Sequence, residues 1–129
     1  MDNYLRESLD IEKENSFMCK FHWKDEFDKE LFAILIFEIR NLTKELCDNN
    51  EKGEIFIENL KMIFNFYNYL TDRILFHNIK DNLSKIKNYD DDILYIYHSR
   101  LEFVLKKFFD LDFKAMDEYE DELGTLDQW

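Results

Sequence analysis

"DEFDKELFAILIFEIRNLTKELC", residues 25–47, decides the fold. Phe27, Leu31, Ile34, Leu35, Ile39, Leu42 and Leu46 recur at steps of three and four. That spacing lays apolar side chains along one face of an α-helix, whereas a strand would alternate at every second residue. Asp25 is a candidate N-cap, and Asp28 and Glu30 lie in or near the first turn, where carboxylates meet the positive end of the helix dipole. "DNNEKG", 48–53, then supplies turn residues that end the helix.

The same period continues outward. A second helix is expected over about 54–78, with Ile57, Leu60, Ile63, Phe64, Tyr67, Leu70, Ile74 and Leu75 on one stripe. "YDDD", 89–92, provides an N-cap and an acidic first turn for a third, over about 91–109, with Ile93, Ile96, Tyr97, Leu101, Val104, Leu105 and Phe108 inward. Shorter helices are expected at three places. One is at the N-terminus (Tyr4, Leu5, Leu9, Ile11), followed by a loop through "CKFHWK"; another is about 80–88 (Ile79, Leu83, Ile86). The last is about 113–122, with Met116, Tyr119 and Leu123 on one side and Gly124 as its C-terminal cap. Proline is absent and glycine occurs twice, which disfavours a many-turn β fold. The expectation is therefore all-α: one antiparallel helical bundle over 1–129. Phe32, Ile36 and Phe37 beside the first stripe, and Phe66 and Phe76 beside the second, are apolar positions in excess of what one face needs.

Composition narrows the function. The chain is 46% apolar and 17% aromatic, enough to build a core and too much for disorder. Cys19 and Cys47 fit free thiols in a reducing compartment. The first residues carry no basic stretch followed by an apolar one, and the longest apolar run, "LFAILIF" at 31–37, is far short of a membrane span. A cytoplasmic protein with no membrane role is expected.

Sites for chemistry are missing. "DNNEKGEIFIEN", 48–59, superficially follows a calcium-binding loop, but Lys52 stands where an oxygen ligand belongs and Asn59 where a bidentate Glu belongs. A polar turn with Gly53 at positive φ is the simpler reading. Cys19-x-x-His22 is half a zinc spacing without its second half. His98 and Ser99 are helix neighbours whose side chains diverge, and no glycine-rich phosphate loop exists. No catalytic residues, metal or cofactor are expected, and the chain does not read as an enzyme. At net −12, phosphate backbones repel it, so direct nucleic-acid binding is disfavoured. Arg100, Lys106 and Lys107 read as a solvated face of mixed charge.

The excess charge is unevenly placed. Residues 110–129 hold eight acids against Lys114, whereas the preceding 109 residues hold 21 acids and 16 bases. Acids concentrated in this way suit a basic partner. Asp117, Glu118, Glu120, Asp121, Glu122 and Asp127 are the candidate contact charges, with Tyr119 and Trp129 as aromatic anchors. Asp90, Asp91 and Asp92 form a second cluster that would join the first if the third long helix and the last short one pack antiparallel.

In whole-chain character (small, acidic, helical, cysteine-poor, with residues drawn from AT-rich codons) the sequence resembles the immunity proteins that bacteria encode beside secreted toxins, including those of contact-dependent growth inhibition. The resemblance is to a class. It implies a cytosolic protein that binds a toxin domain, often a nuclease, and covers or distorts its active site. A phage-encoded nuclease inhibitor of the anti-CRISPR type has the same profile. The alternative from the residues is a helical subunit or adaptor that homo-oligomerises through its aromatic stripes.

Overall fold

In the computed structural model, residues 4–50, 53–77, 85–88 and 90–126 are described. They form six helices, α1 (Tyr4–Ser8), α2 (Phe17–Lys24), α3 (Lys29–Asp48), α4 (Glu54–His77), α5 (Asp91–Asp110) and α6 (Phe113–Asp117). A small hairpin follows, β1 (Glu120–Asp121) with β2 (Gly124–Thr125). Helix α5 packs on both α3 and α4, α6 lies on α3 and α5, and α1 lies on α3. The all-α bundle read from the periodicity is the fold.

Several local expectations give way to stronger local chemistry. Asp25 does not cap α3. It ends α2 in the left-handed conformation (φ 55°), and its amide donates to the Lys20 carbonyl. Asp28 is the cap, accepting from the Leu31 amide at 3.0 Å while ion-paired to Lys20 at 2.9 Å. The expected loop through "CKFHWK" is instead α2, started by Ser16, whose hydroxyl accepts from the Cys19 amide. Phe17 and Phe21, one turn apart, face inward on this helix and are fully buried.

Those two rings explain the break between α2 and α3. Phe17 meets Phe21, Phe27, Phe32 and Phe66 at centroid distances of 5.6, 5.2, 5.8 and 5.5 Å. Such a cluster holds several kcal/mol in area burial and ring contacts together. It forms only if the chain turns after Lys24, so that α2 lies over α3 and α4. Asn88 seals the turn: its side-chain oxygen accepts from the Phe27 amide at 2.9 Å, and its amide nitrogen donates to the Phe27 carbonyl at 2.7 Å. Residues 85–88 are irregular rather than helical, and the rest of the short helix expected over 80–88 lies outside the described residues.

Helices α3 and α4 also present different faces from those expected. On α3, Phe32 and Ile36, counted as surplus, are buried, and Leu31, Ile34 and Leu42 only partly so. On α4 the buried positions are Phe56, Ile63, Phe66, Leu70 and Arg73. Ile57, Phe64 and Leu75, read as core, face outward with 48%, 52% and 62% exposure. A helix apolar on most of its circumference does not fix its own rotation; the Phe66 contact and the Arg73 anchor do.

Arg73 is charged yet 8% exposed. It donates to the Phe21 carbonyl at 3.0 Å, to the Tyr69 hydroxyl at 2.9 Å and to Asp25 at 2.8 Å, with its guanidinium 4.4 Å from the Phe21 ring centre. The turn after Asp48 has a positive φ at Asn50 (49°).

Candidate partner-binding surface

The acidic C-terminal segment folds differently from the single helix expected over 113–122. Asp112 caps α6 by accepting from the Ala115 amide at 3.1 Å, and the helix ends at Asp117. Beyond it, Glu120 pairs with Thr125 and Asp121 with Gly124 in an antiparallel hairpin. Two local features make the turn. The Asp121 carboxylate accepts from the Leu123 amide at 2.8 Å, a side-chain bond two residues on that competes with helix. Gly124 sits at φ 102°, open to glycine and costly for any other residue. Gly124 is thus a hairpin residue and not a helix cap.

A buried arginine holds this hairpin. Arg100, midway along α5, is 3% exposed. Its Nε and one Nη donate to the two Asp121 oxygens at 2.8 and 2.7 Å, a bidentate fork. The guanidinium also donates to the carbonyls of Gly124 (3.0 Å) and Thr125 (3.3 Å). Tyr119 donates its hydroxyl to Asp121 at 3.1 Å and packs its ring on Phe103 at 4.5 Å. Burial alone would raise the Asp121 carboxyl, but the Arg100 fork, the Leu123 amide and the Tyr119 hydroxyl outweigh it and hold the group below the usual carboxylate range. Burial next to that carboxylate pushes the Tyr119 phenol up to about 12.

A second arginine holds α6. Arg40 of α3 donates to Asp117 at 2.7 Å, and its guanidinium lies 4.9 Å from the centre of the Phe113 ring.

The predicted contact residues therefore divide. Glu118, Glu120 and Glu122 are exposed on the clasped segment. Asp117 is exposed on one side and paired on the other. Asp121 and Tyr119 face inward, Asp121 in the Arg100 fork and Tyr119 against Phe103. Asp127 and Trp129 lie outside the described residues. Asp90 is the N-cap of α5, accepting from the Ile93 amide at 3.2 Å, with Asp91 opening the helix and Asp92 exposed on its first turn. The hairpin meets α5 at Arg100, roughly 12–15 Å along the helix axis from this triplet. Arg100 itself is no part of a solvated basic face.

Two surface grooves were not foreseen. One, of about 610 Å³, runs between α4 and α5, with Leu60 and Leu105 inside and Phe64 and Phe109 on its walls. The other, of about 560 Å³, involves Leu9, Met18, Met62 and Phe66, with His22 and Tyr69 among its polar groups. The Tyr69 hydroxyl accepts from Arg73 and shares a 2.9 Å hydrogen bond with His22 Nδ1. His98 stacks on Tyr67 at 5.1 Å and bonds Thr71 at 2.8 Å. Among the described residues, no three His, Cys, Asp or Glu side chains are grouped to hold a metal ion, and no helix is long and apolar enough to cross a membrane.

Fold and surface together define a helical-bundle protein that displays carboxylates on a hairpin clasped by an internal arginine. Comparison of the chain with protein-family models, curated proteins and solved structures finds no match in any of the three.

Proposed function

We propose that this protein is an inhibitor of the immunity-protein kind, without catalysis of its own. It binds a basic protein partner, a nuclease toxin domain, and occupies the nucleic-acid-binding cleft with carboxylates. The observation that carries this reading is that Glu118, Glu120 and Glu122 project from a segment fixed by Arg100. A backbone held in place loses little freedom on binding, and a patch of one sign speeds encounter with a cleft of the other. Self-association through aromatic stripes is the second reading: Phe32, Ile36 and Phe66 are core residues, whereas Phe76 is 49% exposed.

The test takes the products of the genes neighbouring this one, assays them for nuclease activity and for binding to this chain, and compares the native protein with the triple variant Glu118→Lys, Glu120→Lys, Glu122→Lys. Association should slow by about tenfold or more at low salt, and the difference should shrink as salt rises. Unchanged association and unchanged nuclease inhibition would remove the hairpin from the interface.

A further inference from the structure

The groove between α4 and α5 has two walls of the same design. "KMIF", 61–64, lies on α4 and "KKFF", 106–109, on α5. In each, a lysine precedes an exposed phenylalanine by three residues, which makes the two side chains neighbours on their helix surface. Phe64 and Phe109 are 52% and 59% exposed. Lys61, Lys106 and Lys107 all line the groove, and Asp110 is the one carboxylate among the lining residues. Lys106 also reaches Glu102 at 3.3 Å, an exposed pair of the weak kind. An apolar trough with surplus positive charge is unusual on a chain of net −12.

We infer that this groove binds a single-chain amphiphilic carboxylate. The hydrocarbon tail lies along Leu60, Leu105 and the two phenylalanines, and the carboxylate meets the lysines. Three considerations select this occupant. The volume of about 610 Å³ falls in the range of small-molecule sites. Symmetric pairing with a second copy would set the lysines of one groove against those of the other. A large polyanion would feel the whole negative molecule across the roughly 8–10 Å over which charge is unscreened, whereas one carboxylate inside the groove feels the nearby lysines most.

The test is titration of the full chain with laurate, below its micellar concentration, by calorimetry, with dodecanol as the uncharged analogue. One saturable site is expected. Dodecanol should bind about fivefold or more weakly, and the variant Lys61→Glu, Lys106→Glu should weaken laurate by about tenfold while moving dodecanol little. Phe64→Ser with Phe109→Ser should abolish both; these side chains are largely exposed, and circular dichroism checks that the fold persists. Three results would each overturn the inference. One is equal affinity for laurate and dodecanol. Another is laurate affinity untouched by the groove variants, which would place the ligand elsewhere, the groove beside Met18 and Met62 included. The third is a dimer in the absence of ligand that the phenylalanine variants dissociate, which would make a second copy the occupant.

Discussion

Replacing Asp121 by Ala should destabilise the whole protein, although the residue is one of eight acids in an acidic segment. The Arg100 and Asp121 side chains are 4% and 12% exposed. Deleting the carboxylate removes both arms of the fork, at 2.7 and 2.8 Å, the Leu123 amide bond and the Tyr119 hydroxyl bond. Breaking a buried pair by removing one partner costs about 3–5 kcal/mol, because the other charge stays behind. Arg100 keeps two carbonyl acceptors here, so the lower end applies: about 3 kcal/mol, or a fall in Tm of about 10 °C for a domain of this size. Asp121→Asn keeps an acceptor and should cost about half as much. Arg100→Met with Asp121→Leu removes both charges and should lie within about 1 kcal/mol of the native protein. Urea unfolding followed by circular dichroism measures all four proteins. A cost below about 1 kcal/mol for Asp121→Ala, or a double variant no more stable than Asp121→Ala, would refute the clasp. The pH dependence supplies an independent check. The folded carboxyl titrates below its unfolded value, so its contribution is complete above the unfolded pKa and is lost as pH falls through the folded one. The acid limb of native stability should therefore be steeper than that of Asp121→Ala, the gap between the two being constant above about pH 4–5 and narrowing below it.

Tyr119, with its phenol pushed up to about 12, should be missing from the ordinary tyrosine step near pH 10 when absorbance is followed at alkaline pH. The stability it contributes is complete below the unfolded pKa and lost as pH rises through the folded one, and Tyr119→Phe should flatten that loss. Phe17→Ala opens a void among four rings and should cost about 3–5 kcal/mol by denaturant melting. His98, lowered by burial and only partly restored by Glu102, should titrate below the usual histidine value by NMR, and its contribution should fade as pH drops below the unfolded pKa.

The bundle was legible because period and composition agree. Stripes of seven or eight apolar residues at helical spacing, with almost no breakers, leave few other solutions. What misled is equally specific. Asp25 has the residue type of an N-cap, and so does Asp28; only packing Phe17 and Phe21 against Phe27 and Phe66 makes the first a terminator and the second a starter. Met116, Tyr119 and Leu123 have helical spacing, yet Asp121 bonding to the Leu123 amide and Gly124 at positive φ turn that stretch into a hairpin. Arg73 and Arg100 were invisible as core residues because hydropathy assigns them to the surface, and their partners are 48 and 21 positions away. Of the candidate site, the acidic segment was visible as composition. Which carboxylates turn inward was not, since neighbouring acids look alike until an arginine selects one. The groove between α4 and α5 escaped notice because Phe64 sat on the stripe assigned to the core. "KMIF" followed by "KKFF" was the available signal, and it acquires meaning only once the two helices are side by side.

The Arg100 clasp has a consequence for genetics. A random screen for loss of activity would return Asp121, Arg100 and Gly124 early, and the first of these sits in the middle of an acidic stretch. Its recovery would look like the discovery of a contact residue. Such alleles would act by lowering the amount of folded protein in the cell, where a deficit of one or two kcal/mol already changes abundance several-fold. Glu118, Glu120 and Glu122 would leave abundance untouched. Steady-state protein level, measured beside phenotype, is what separates the two groups of alleles.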